Sequence, residues 1–260
     1  MSSNDDHQAR HGMRGDDDDD HQARHGMGDD EDRGGHAGNS SRDLHIYATE
    51  FTALNNSGVD GHALLFLDEG DQTLTVKIWA EGLEPNQVHA QHIHGFPDDK
   101  DANTPTIAQD ADRDGFVELA EGLVKYGPIQ LNLTLNPEDS AHDHGTTGHD
   151  HTGDAVFPTA DEDGVLRYSE TFHFDRDDPN ARAILDDIVP LQRKEIVLHG
   201  LTLQEGQGGD GGEADGTAGY KDVLPVASGE LEEVDVSRLL DAALDHGHVG
   251  RAGDWLFGAA

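Results

Sequence analysis

The chain has 260 residues, with 54 acidic and 17 basic side chains and no cysteine, so its formal charge is −37 at neutral pH. A surface this negative repels phosphate groups, which argues against binding to nucleic acids or to anionic membrane surfaces. The lack of cysteine excludes disulfide bonds, zinc fingers and thiolate nucleophiles. Metal cations are the partners that this charge favours.

The acidic excess extends along the whole sequence. Such a surface is typical of proteins adapted to concentrated salt, where charge repulsion is screened over a few ångströms. We therefore predict a halophilic source. Circular dichroism during dialysis from high to low salt should show unfolding, and a fold indifferent to salt would contradict the prediction.

The first segment, residues 1–43, differs in composition from the rest. It contains no Leu, Ile, Val or Phe, and the nonapeptide DDHQARHGM occurs at 5–13 and again at 19–27. Its His and Asp tracts could scavenge metal, but the composition favours a solvated, disordered tail. No apolar run of signal-peptide or membrane-helix type is visible, so we expect no membrane insertion, and localisation stays open.

From residue 44 onward the hydrophobic pattern has a period of two. In QTLTVKIWAE, for example, Leu74, Val76 and Ile78 fall on one face of a strand. Strands are predicted at 45–54, 61–67, 72–81, 87–95, 128–135, 164–174, 195–203 and 223–231. Eight short strands separated by polar turns predict an all-β fold, a Greek-key β-sandwich or barrel over residues 44–233.

Helical periodicity is limited to two segments. One lies near 178–189, and the other at 234–247 places Val236, Leu239, Leu240 and Ala243 on one stripe. The second segment predicts a short C-terminal helix followed by a tail, within residues 234–260.

The segment HAQHIHG carries the most informative histidines. His92 and His94 are two positions apart on a predicted strand, so both imidazoles project from one face and can chelate one metal ion. His89 falls on the opposite face or at the strand entry. His199 stands alone in the apolar strand IVLHGLTL, where a histidine is by itself more typical of a packed core than of a ligand set.

A calcium loop is predicted inside an insertion at about 97–127. Residues 110–121, DADRDGFVELAE, fit the spacing D-x-[DN]-x-[DN]-G-x5-E at every specified position. Alternate carboxylates then face the ion, Gly115 permits the sharp turn and Phe116 offers its backbone carbonyl. The predicted ligands are Asp110, Asp112, Asp114, Phe116, Glu118 and Glu121.

A second histidine-rich segment, HDHGTTGHDHTGD, occupies residues 142–154. It is either a solvated His/Asp loop or part of a metal site to which His144, His151 and Asp154 would contribute.

Several of these segments together resemble a known family. GLEPNQVHAQHIHG (82–95), FPTADEDGVL (157–166) and the pairing of VLHGLTL with LPVASGEL (197–231) resemble the CHRD domain, the module repeated in chordin and found singly in many prokaryotic proteins. The same segments are similar to copper/zinc superoxide dismutases, which are Greek-key β-barrels. Both families are often extracytoplasmic.

The dismutase resemblance implies particular ligands. His92, His94 and His199 match copper ligands, and His151 with Asp154, followed by an acidic hairpin, matches the end of the zinc loop; His144 is a further zinc candidate. Dismutases have an arginine that guides superoxide to copper, and at the corresponding place this chain has Leu224 and Pro225. The cysteine pair that links the dismutase loop is also absent. The CHRD resemblance needs none of these residues and is the more complete.

Three functions follow as hypotheses, one of which is a metal-sequestering protein that would use the tail 1–43 and the segment 142–154. The first is a non-catalytic, metal-binding CHRD-type module with Ca²⁺ in its insertion and a copper or zinc site at the histidines. The alternative is a dismutase-like enzyme that converts superoxide to oxygen and hydrogen peroxide, although the negative charge disfavours an anionic substrate.

Overall fold

The computed structural model describes residues 44–98, 100–140, 155–209 and 212–235, and its fold there is mostly β. The strands are β1 (Leu44–Glu50), β2 (Thr52–Ala53), β3 (Asp60–Asp68), β4 (Thr73–Glu81), β5 (Gln91–His94), β6 (Ile129–Asn132), β7 (Leu166–His173), β8 (Glu195–Leu203), β9 (Gly219–Glu230) and β10 (Glu232–Glu233). Sheet A has the order β10-β1-β3-β4-β7 and sheet B the order β2-β9-β8-β5-β6. Every pairing is antiparallel.

The two sheets share one hydrophobic core, as the period-two pattern predicts. Leu65 and Val76 of sheet A and Ile93 and Ile196 of sheet B belong to this core, and each is fully buried. The all-β sandwich is thus confirmed. The predicted strand 45–54 is divided at Phe51, because β1 pairs with β3 in sheet A whereas β2 pairs with β9 in sheet B.

The connections cross between the sheets, as in Greek-key folds. The chain leaves β4 in sheet A, forms β5 and β6 in sheet B, and returns as β7 beside β4. It then crosses again to form β8 beside β5. This second crossing makes the β5 and β8 histidines neighbours, although they are far apart in sequence.

The helices among these residues are α1 (Leu119–Tyr126), α2 (Pro137–Ser140) and α3 (Pro179–Ile188), with 3₁₀ turns at Ile107–Gln109 and Leu191–Arg193. Helix α3 lies within the predicted segment 178–189. It begins after Asp178, whose carboxylate accepts a hydrogen bond from the Asn180 N–H at 2.8 Å. The predicted helix at 234–247 falls almost entirely outside the described residues. No helix within the described ranges is long and apolar enough to cross a bilayer.

The outer face of sheet B is covered by the insertion. All four residues of β5 are buried, so this strand is enclosed on both faces. Asn55 fixes the insertion to the sheet, because its side chain donates to the carbonyls of Val117 at 3.0 Å and Pro225 at 2.9 Å and accepts from the Val117 N–H at 2.7 Å. The outer face of sheet B is therefore buried beneath the insertion at β5.

Candidate metal centre

Three histidines meet on the outer face of sheet B. His92 and His94 come from β5, and His199 comes from β8. One ring nitrogen of each lies within 4.8 Å of those of the other two. The side chains are buried, with exposures of 1% for His92, 0% for His94 and 2% for His199. Strand pairing thus assembles a histidine trio, the term used below for these three residues.

Backbone carbonyls orient two of the three rings. Nδ1 of His94 lies 2.8 Å from the Gly127 carbonyl oxygen, and Nδ1 of His199 lies 2.7 Å from that of Val223. A carbonyl only accepts, so Nδ1 carries a proton in each ring, and in the neutral ring Nε2 holds the lone pair. Metal-binding histidines commonly donate their second ring N–H in this way.

Aromatic rings enclose the trio. Phe157 packs edge-to-face on His92 with ring centroids 5.3 Å apart, and Tyr126 packs on His94 at 4.6 Å. Tyr126 is fully buried at the end of α1, and burial raises its pKa above the ordinary value, with a further contribution from the charge of Glu195. The insertion therefore supplies both the carbonyl that orients His94 and the ring that covers it.

His89 has a different place, as its position in the sequence predicts. It is fully buried, but its Nδ1 lies 2.8 Å from the His199 carbonyl oxygen and its Nε2 lies 3.1 Å from that of Glu84. Both ring nitrogens are thus engaged with the backbone. His89 fixes the main chain of β8 at the trio and is not itself available as a ligand.

The close approach at Gly127 gives a testable prediction. Gly127 and Gly58 have nearly equal positive φ values, +78° and +76°, and Gly127 combines its φ with a ψ of −179°, a conformation confined essentially to glycine. A Cβ at Gly127 would overlap the Gly95 carbonyl, whereas a Cβ at Gly58 has nothing within 4 Å. We expect Gly127→Ala to lower the free energy of unfolding by about 1–3 kcal/mol more than Gly58→Ala, as measured by denaturant titration. Equal losses would contradict the packing of the insertion on β5.

A buried acid that the sequence did not reveal shares this face of the sheet. Glu195 pairs with His94 across the strands and is fully buried. Burial raises the pKa of Glu195 from 4.5 to about 7, hydrogen bonds from Ser228 and Thr104 oppose the rise, and the charge of Glu230 adds to it. The only sequence signal was its position four residues before His199 on the same predicted strand.

The aspartates of the predicted calcium loop converge. Carboxylate oxygens of Asp110, Asp112 and Asp114 lie within 4.8 Å of one another. Asp110 accepts hydrogen bonds from the N–H groups of Arg113 at 2.6 Å and Gly115 at 3.0 Å. Arg113 and Gly115 both have positive φ, 69° and 97°, so the chain wraps tightly around the Asp110 carboxylate.

The remaining loop positions are arranged differently. Glu118 is 7% exposed and accepts a hydrogen bond from the Ala214 N–H at 2.7 Å, so its carboxylate faces the 212–219 segment. Glu121 accepts from the N–H groups of Ala111 at 2.6 Å and Glu118 at 3.0 Å. Glu121 therefore reaches back to the start of the loop, and it closes the first turn of α1. The side chain of Phe116 packs in a small cluster with Leu203, Ala214 and Leu224.

Three predicted zinc residues lie outside the described ranges. His144, His151 and Asp154 belong to the segment 141–154, so their positions relative to the histidine trio are not described.

Comparison with known proteins supports the family suggested by the sequence. The model of the CHRD domain matches residues 47–162. The chain is therefore similar to CHRD domains over this part, which extends from within β1 to beyond β6. The match contains His92 and His94 but ends before β8 and His199. No curated protein matches the chain.

Proposed function

We propose that this protein is a non-catalytic, metal-binding module, a CHRD-type β-sandwich that holds a transition metal at His92, His94 and His199. One observation carries the proposal: three buried imidazoles from two strands have ring nitrogens within 4.8 Å of one another, close enough to bind one metal ion. A site composed of imidazole nitrogens suits copper or zinc rather than calcium or magnesium.

The surroundings of the trio fit such an ion. The carbonyls of Gly127 and Val223 hold Nδ1 of His94 and His199, so each ring would bind a metal through Nε2. A bound ion would cross-link β5 to β8 and so stabilise the folded state, because it binds that state alone. The residues themselves supply three imidazole donors in a compartment lined by Phe157 and Tyr126.

We also propose that the loop 110–121 binds Ca²⁺ and orders the insertion. Its support is the sequence spacing and the convergence of the three aspartates. Neutralising clustered carboxylates removes their mutual repulsion, which favours the wrapped loop.

Calcium titration tests this second proposal. Isothermal titration of the double variant Asp110→Ala/Glu121→Ala is expected to show the loss of one calcium site, because the variant removes the first and last carboxylates of the loop. The matched control is Glu162→Ala/Asp163→Ala in an exposed acidic hairpin, which should bind calcium as the unmodified protein does. Equal calcium binding by both variants would contradict the loop site.

A dismutase-like enzyme is the alternative. Its support is that the three histidines of the trio match the copper ligands of that family. Two features count against it. The rings are at most 2% exposed, which leaves superoxide little access, and the charge of −37 repels an anionic substrate.

Reconstitution separates the two functions. The protein is purified in high salt, loaded with copper and zinc, and assayed for metal content and for superoxide turnover. We expect bound transition metal without turnover. Turnover that His92→Ala abolishes would establish the enzyme and contradict the non-catalytic module, and failure to retain either metal would contradict both.

A further inference from the structure

A pair of facing carboxylates lies beside the histidine trio. Glu195 on β8 and Glu230 on β9 are directly opposite each other in the strand register, so their side chains share one face of sheet B. Like charges in this position destabilise a sheet. Among the described residues, neither carboxylate forms a salt bridge with a basic side chain. This pair, called the Glu195–Glu230 pair below, therefore has no basic partner within the described part of the chain.

Hydroxyl groups surround the buried member of the pair. Oε1 of Glu195 accepts hydrogen bonds from the Thr104 hydroxyl at 2.7 Å and from the Ser228 hydroxyl. The backbone N–H of Thr104 donates to Oε1 of Glu230 at 3.2 Å, so Thr104 bridges the two carboxylates. Four oxygen-bearing side chains from β8, β9 and the insertion thus meet at one place.

The second oxygen of Glu195 is the independent indication of a ligand. Glu195 is 0% exposed, and within the described part of the chain its Oε2 has no hydrogen-bond partner. A buried carboxylate oxygen without a donor is costly, and native structures rarely leave one unsatisfied. A cation bound at Oε2 would satisfy this atom and would also offset the repulsion from Glu230.

We propose that the Glu195–Glu230 pair, with the hydroxyls of Thr104 and Ser228, binds a divalent cation of the calcium class. The donors are all oxygen, which selects hard cations, and two carboxylates balance a charge of +2. Calcium accepts irregular sets of oxygen ligands, whereas magnesium demands a near-octahedral shell. Glu230 is exposed, so the ion has a route from solvent and can retain water on that side.

This site is separate from the loop 110–121 and from the histidine trio, and it does not depend on either of them binding metal. It would clamp Thr104 of the insertion to β8 and β9, next to the strand position of His94. The insertion would then be held over sheet B by an ion as well as by Asn55.

Calcium stoichiometry tests the proposal. Equilibrium dialysis at alkaline pH in molar KCl, which screens diffuse binding to the acidic surface, is followed by metal analysis of the full chain. We expect Glu195→Gln to bind one calcium fewer than the unmodified protein. The control Glu232→Gln, an exposed acid on β10, should bind the same number as the unmodified protein. The double variant Asp110→Ala/Glu121→Ala removes carboxylates of the loop 110–121 only. A missing calcium ion in the loop can therefore be distinguished from one missing at the Glu195–Glu230 pair.

A second variant keeps the test valid if Glu195→Gln fails to fold. Glu230→Gln alters an exposed side chain and is expected to weaken the same site at least about tenfold without changing the circular dichroism spectrum. Calcium stoichiometry and affinity that are unchanged in both variants would overturn the proposal. The two carboxylates would then share a proton instead of a metal ion. If magnesium bound as tightly as calcium, the assignment of the site to calcium-like cations would be wrong.

Discussion

Replacing His92 with alanine is expected to lower the affinity for copper or zinc by at least about 100-fold. Loss of a residue that only orients a metal ligand typically costs 10–100-fold, so removing one of three ligands should cost at least as much. Competition with a chromogenic chelator, in high salt, measures the change. His94→Ala and His199→Ala should behave alike, because each removes one of the three converging nitrogens.

The matched control for these variants is His173→Ala. His173 is an exposed histidine at the end of β7 in the opposite sheet. It should leave the metal affinity unchanged. If His173→Ala and His92→Ala lost affinity equally, the metal would be bound by dispersed surface histidines and the trio would not be the site. Thermal melts of the metal-free variants, monitored by circular dichroism, separate lost ligation from lost folding.

The buried acid Glu195 should make stability depend on pH. Its pKa is raised from 4.5 in the unfolded chain to about 7 in the fold, so between these values the folded state binds more protons. The stabilisation is complete below about pH 4.5 and is lost as the pH rises through 7. The shift corresponds to about 3 kcal/mol in the free energy of unfolding.

Glu195→Gln isolates this contribution. With chelator present, we expect the variant to match the original protein near pH 5 and to be more stable by up to about 3 kcal/mol near pH 8, since glutamine does not ionise. Denaturant titration at both pH values measures the difference. Glu230→Gln, which removes only the neighbouring charge, should have a smaller effect. A variant that is destabilised equally at both pH values would contradict a buried ionisable Glu195.

The sandwich itself was predictable because its signal is local. Alternation at Leu74, Val76 and Ile78 depends only on which residues face the core, and each of the eight predicted strands overlaps a strand of the structure. The division of 45–54 at Phe51 was missed, because the pattern does not show that a strand changes sheets. The change depends on the pairing of β2 with β9, which is a long-range contact.

The candidate site was predictable in part. The spacing of His92 and His94 predicted a shared face, and the structure has both rings on it. That His199 joins them depends on the register between β5 and β8, which only the family resemblance suggested. Glu195 and Thr104 were missed altogether, because their proximity requires the register and the path of the insertion. Metal binding at the trio and in the loop 110–121 stays a prediction.

X-ray absorption spectroscopy of the metal-loaded protein tests the central claim most directly. If copper or zinc is held by His92, His94 and His199, the spectrum will show nitrogen neighbours at about 2.0 Å together with the outer-shell scattering of imidazole rings. His199→Ala should reduce the imidazole contribution by one ring. A spectrum dominated by oxygen neighbours, or one that His199→Ala leaves unchanged, would contradict a metal centre at the histidine trio.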